Sequence, residues 1–131
     1  MSQQAATQLI SLKSTNDYNT AASQKKYYIM KVDTANDHSF VIAAAATDPI
    51  CGILQDTPRA GEAGTIAISG TAKVIAGGTV TRGDDVTSDS SGKAVTTTTN
   101  KDRKVGTALV SAVSGDIFEI QLCPGFPKQA T

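Results

Sequence analysis

GILQDTPRAGEAGTIAISGTAKVIAGGTVTRGDD, residues 52–85, decides the fold. Within it, residues 65–75 alternate, with Ile66, Ile68, Ala72 and Val74 sharing parity, the period-2 pattern of a half-buried strand. Gly70 interrupts that strand and predicts a sharp bend. Gly52 lies inside a shorter apolar run, Ile50–Leu54, where glycine marks a bulge or a close backbone approach. TPRAGEAG, residues 57–64, reads as a loop. Gly77-Gly78 and Gly83-Asp84 read as turns flanking a short strand over 79–82, and a further strand over 85–88 ends at Ser90-Ser91-Gly92.

The same grammar extends in both directions. Upstream, KYYIMKVD alternates, with Tyr28, Met30 and Val32 on one face and Tyr27, Ile29 and Lys31 on the other. The polar TANDHS turns the chain and FVIAAA returns, giving a hairpin that Pro49 ends because it cannot donate to a ladder. Downstream, residues 94–99 form a strand, with Thr97 to Thr99 expected at an edge or against a partner. Residues 105–113 are apolar but small. IFEIQL points Phe118, Ile120 and Leu122 inward, with Glu119 and Gln121 outward. Short strands with turns every eight to twelve residues predict an all-β sandwich or barrel, and no segment carries a helical period.

The two ends read differently. Residues 1–24 are rich in Ser, Gln, Asn, Thr and Ala, with one apolar cluster at Leu9, Ile10 and Leu12, and predict a flexible arm. Residues 25–123 form the β-rich domain. CPGFPKQAT carries two prolines and a glycine, so residues 124–131 are expected to be an irregular tail.

At 131 residues the chain is one domain, but its core material is thin: 5% aromatics, no Trp, and much of the 40% apolar fraction is alanine. Burying Ala contributes far less than the roughly 1.5–3 kcal/mol of a Val or Leu, which leans towards self-association. Twelve basic and twelve acidic residues cancel and lie scattered, which argues against a nucleic-acid partner. No run approaches the ~20 apolar residues of a membrane span, and no signal-peptide pattern occupies the first twenty positions. The expected setting is cytosolic, with Cys51 and Cys123 as free thiols.

No catalytic constellation emerges. His38 is the one histidine and falls in a turn; Cys51, Cys123 and His38 lack zinc spacing; no G-x-S-x-G sequence occurs. Asp84, Asp85 and Asp89 fit turn formers better than a calcium loop. The glycines follow no phosphate-binding pattern. Neither an enzyme nor a cofactor is expected. A carbohydrate-binding platform is disfavoured with three tyrosines and no Trp.

The ordered series GILQD (52–56), Pro58 with Ala60-Gly61, TIAISGTAKVIAGG, Gly83-Asp84, SSGKAV (90–95), VGTALVSA (105–112) and GDIFEIQL (115–122) resembles the bacteriophage capsid cement, or head decoration, proteins. The resemblance covers most of residues 27–122. It implies a β-clip or β-tulip type of incomplete barrel and a homotrimer. It also implies a place on the outer surface of the phage head, at threefold or quasi-threefold positions of the major capsid protein, stabilising the shell against internal DNA pressure. Such a protein is made in the bacterial host cytoplasm and becomes part of the virion. The alternative is another virion surface or fibre-associated binding module, adhesive or carbohydrate-binding. Under the cement reading, Leu9, Ile10 and Leu12 are the candidate capsid anchors, with Pro58 and Arg59 of the 57–64 loop sharing the contact. Ordering the arm costs more entropy than three apolar side chains return, so strand addition to a capsid edge is expected, multiplied by three arms per trimer.

Overall fold

The computed structural model describes residues 8–20, 24–97 and 103–127. Among these are nine strands: β1 (Gln8–Ser14), β2 (Ile29–Val32), β3 (Ser39–Ile42), β4 (Ile50–Leu54), β5 (Ala63–Ile75), β6 (Asp85–Ser88), β7 (Ala94–Thr96), β8 (Arg103–Ala108) and β9 (Ile117–Pro127). The described residues contain no helix. The all-β expectation and the 50–54 strand hold as read. The 79–82 strand reduces to one bridge, Val80 to Ala112.

Five strands close a ring. β2 pairs antiparallel with β3 as the predicted hairpin and with β4 on its other side. β4 pairs antiparallel with β5, whose first half pairs antiparallel with β1. β1 closes the circuit by running parallel to β3 at Lys13–Ser39 and Ser14–Phe40. Register slips twice in the ring: between Gln8–Ser69 and Leu9–Ala67, leaving Ile68 as the extra residue, and between Met30–Gly52 and Lys31–Ile50, leaving Cys51. Gly52 is needed there because a Cβ would strike the Ala67 carbonyl, and its φ of 150° disfavours a side chain.

At Gly70 (φ 83°) the long β5 leaves this barrel and enters a second sheet. Residues 70–75 pair with 122–117 of β9, and the order continues β9-β8-β6-β7. An isolated bridge from Ala76 to Ala94 brings β7 back to the end of β5, so the second sheet also curls towards closure. The bend expected from glycine is thus the junction of two rolled sheets that share one strand.

Two packing clusters follow. Tyr18, Met30, Phe40, Leu54 and Ile66 fill the first barrel, with Leu12, Tyr28, Ile42, Cys51 and Ile68 packed against them. The second cluster carries Ile29, Ile53, Val74, Val86, Val105, Phe118, Ile120 and Leu122, and its gaps are filled by alanines such as Ala67, Ala72 and Ala108. β2 lies between the clusters, so Ile29 and Met30 are both fully buried while Val32 is exposed. Strict alternation from Tyr28 to Val32 is therefore broken. Of the five core residues on the best-patterned strands, Ile66, Val74, Phe118 and Ile120 are buried and Ile68 is half-buried.

The ends depart most from the sequence reading. Within the expected arm, residues 8–14 are a barrel strand and Tyr18 is 4% exposed. Residues 1–7 and 21–23 lie outside the described residues. Within the expected irregular tail, residues 124–127 prolong β9, pairing Lys104 with Phe126 and Arg103 with Pro127. Between that pairing and Gly106–Leu122 the register shifts, which lets Pro124 be accommodated without a donor. Residues 128–131 lie outside the described residues.

Candidate functional site

The polar side chains that a catalytic reading needs are spent on turns. His38 is exposed at φ 53°, and its carbonyl accepts the Lys13 N–H at 2.9 Å. Asp84 Oδ2 accepts from the Thr81 N–H and the Thr96 hydroxyl, both at 2.9 Å. Asp89 Oδ1 accepts from the Ser91 and Lys93 N–H groups at 2.8 and 2.9 Å. Asp85 pairs with Lys104 at 3.1 Å. Among the described residues no group of three or more His, Cys, Asp or Glu side chains could hold a metal ion. Cys51 is a free thiol that burial pushes up to about 12, which keeps it protonated and unreactive. The Cys123 side chain lies outside the described residues.

β1 and the 57–62 loop are far apart in sequence but meet in space. The Ser14 N–H donates to the Glu62 carbonyl at 2.8 Å, and the Gly61 N–H donates to the Ser14 carbonyl at 2.8 Å. Along β1 burial falls steadily towards the start of the strand: Ser14 is buried, Leu12 half-buried, Ile10 36% exposed. Leu9, of opposite parity, is 54% exposed. The loop splits similarly. Pro58 is buried and its carbonyl accepts the Tyr18 N–H at 2.9 Å, whereas Arg59 is exposed and its N–H donates to Glu62 Oε1 at 2.8 Å. Leu12 and Pro58 thus serve the fold, while Leu9, Ile10 and Arg59 are exposed, Arg59 on the loop beside Ser14 and Leu9 and Ile10 at the start of β1 on opposite faces of the strand. A shallow groove is lined by Lys13, Thr15, Asn36, Asp37, Ala60 and Gly61.

The other end of β5 carries a second surface that the sequence reading missed. Leu109, Val110, Val113 and Ile117 are 44–56% exposed around the β8–β9 connection. Val110 and Ile117 join Tyr27, Lys73, Phe118 and Glu119 in a groove. Tyr27 holds φ 73°, uncommon for an aromatic residue, fixed by its N–H donating to the Leu54 carbonyl and its carbonyl accepting from Ile75. Residues 105–113 had the apolar content of a strand; the strand stops at Ala108, and the remaining apolar residues are left on a turn.

The sequence model of the phage cement protein family matches residues 22–122. The chain belongs to that family. A cement protein is a capsid-associated structural protein of the bacteriophage virion. No curated protein matches the chain. Among solved structures it is similar to the head fiber gp8.5 N base of bacteriophage phi29, with a TM-score of 0.67 and 17% identity over 89% of this chain and 94% of that one. At that identity the likeness shows the fold. It spans more of the chain than residues 22–122. In this cement protein β1 and Tyr18 precede the family match, yet they close and fill the first barrel.

Proposed function

We propose that this cement protein binds the outer surface of the assembled phage head at threefold or quasi-threefold positions. There it acts as a homotrimer and reinforces the shell against the pressure of packaged DNA. The family match carries the reading. The exposed side chains of Leu9, Ile10 and Arg59 support it by offering apolar and basic contacts from two chain segments that meet at Ser14. β5 bends at Gly70 between its two ends, and the Leu109–Val110–Val113–Ile117 surface beside its far end offers apolar side chains for contacts between copies. Weak contacts repeated three times favour the assembled lattice over free capsid protein.

The test is to add the purified chain to expanded heads that lack it, then follow binding and the temperature at which DNA escapes. The reading requires saturable binding and a higher escape temperature. Heads that neither bind the chain nor gain stability would overturn it.

The likeness to a head fiber base favours a second reading, in which the chain is a platform that holds a further protein on the head. Density continuing outward from the chain in a virion map would select that reading.

A further inference from the structure

β1 is covered along one edge and open along much of the other. Its ladder with β5 runs from Gln8 to Lys13, with one register shift between Gln8 and Leu9, but β3 reaches only Lys13 and Ser14. Among the described residues no strand pairs with that side of residues 8–12. The hydrogen bonds fix which groups face the opening. The Ser14 N–H points to the β5 side, at the Glu62 carbonyl, and the Lys13 N–H points to the β3 side, at His38. Successive residues of a strand present their backbone groups to opposite edges. Leu12 and Ile10 therefore bond to β5, and the N–H and C=O groups of Ser11 and Leu9 face the open edge. Lone edges are normally blunted by lysine, proline or a bulge turned outward. Residues 8–12, QLISL, contain no charge and no proline, and the first charge, Lys13, stands where β3 already covers the edge. Leu9 and Ile10 flank the opening with exposed apolar side chains.

We propose that this edge takes up an extended segment of the major capsid protein as an added strand beside residues 8–12, below the 33–38 turn. The inference rests on the cement reading. It reverses the expected direction of strand exchange: β1 stays on its own barrel and receives a strand, instead of leaving as an arm to join a capsid sheet. Backbone pairing supplies the register, and alternate apolar side chains of the incoming segment cover Leu9 on one face and Ile10 on the other. A second copy pairing through the same edge would make a twofold dimer, which has no place at a threefold position.

The test uses residue-resolved hydrogen exchange of the full chain, free and bound to expanded heads, together with the Ser11→Pro variant. The Ser11 N–H faces the opening, so proline there removes an outward donor and spares the ladder with β5. Expected results are rapid exchange at Leu9 and Ser11 in the free chain, protection of both on heads, and protection at Leu12 and Ser14 in both states. Ser11→Pro should keep the circular dichroism spectrum and bind heads more than tenfold more weakly. If that variant fails to fold, the exchange comparison on the unsubstituted chain decides alone. Protection of Leu9 and Ser11 already in the free chain, by its own residues or a second copy, overturns the inference. So does binding to heads without new protection. Failure of the unsubstituted chain to bind heads at all overturns the cement reading, and the inference with it.

Discussion

The hydroxyl of Tyr18 accepts the backbone N–H of Ile42 at 3.0 Å, and the Tyr18 ring stacks on Phe40 with centroids 6.2 Å apart. That bond ties the segment following β1 to the strand β1 closes against, so residues 8–18 belong to the barrel.

Tyr18→Phe keeps the stacking and leaves the Ile42 N–H without its acceptor. It should lower unfolding free energy by about 1–3 kcal/mol, while Tyr18→Ala, which empties part of the barrel, should cost about 3–5 kcal/mol. Urea denaturation of both variants measures this. Unchanged midpoints would mean that residues 8–20 contribute nothing to the fold.

Removing residues 1–14 takes away a barrel strand and uncovers the edges of β3 and β5. The truncated chain should lose about 1 kcal/mol or more, the worth of half-burying a side chain such as Leu12, and should self-associate through the bared edges. Denaturation midpoints and sedimentation velocity read both effects.

Val113→Asp and Ile117→Lys alter side chains that are 56% and 54% exposed. Each should stay within about 0.5 kcal/mol of the parent in stability, as surface changes do. Light scattering should show a trimer reduced to monomer. Trimers that persist in both variants would move the contact between copies elsewhere.

Two groups set the pH response. Cys51 ionises more readily unfolded, near the ordinary 9.0, than folded, where burial raises it to about 12. Its contribution is fully present below pH 9 and is lost as pH rises towards 12. At Asp48 burial pushes the carboxyl up, but the Ala44 N–H at 2.8 Å and Lys31 at 3.3 Å outweigh it and lower the pKa. That contribution holds above the ordinary carboxylate pKa and fades as pH falls through the folded one. Melting curves of Cys51→Ser should part from the parent's at the alkaline end, where only the parent loses stability, while Asp48→Asn should lie below the parent at neutral pH and converge with it at the acid end.

The middle of the chain was legible because its signals are local. Alternation placed Ile66, Val74, Phe118 and Ile120 in the core, Gly70 marked the passage between sheets, and Gly52 marked a slip in register. The ends were not, because their partners are distant in sequence. Nothing near Leu9 or Leu12 shows that residues 63–69 of β5 lie alongside, and the polar composition around them argues for an arm. Tyr18 was the one available signal, a lone aromatic in a polar stretch. At the other end Pro124 and Pro127 read as breakers, yet a register shift absorbs Pro124 and the strand continues. The anchors expected from the sequence divided on burial: Leu12 and Pro58 were spent on packing, which composition does not reveal, while Leu9, Ile10 and Arg59 stayed outside.

A density map of the intact virion tests the central claim most directly. The account predicts this chain outside the major capsid protein, three copies around each occupied threefold or quasi-threefold position, with Leu9, Ile10 and Arg59 against the shell and Ile117 away from it. A map placing the chain inside the shell, or with the Ile117 end seated on the capsid and β1 facing solvent, would contradict it.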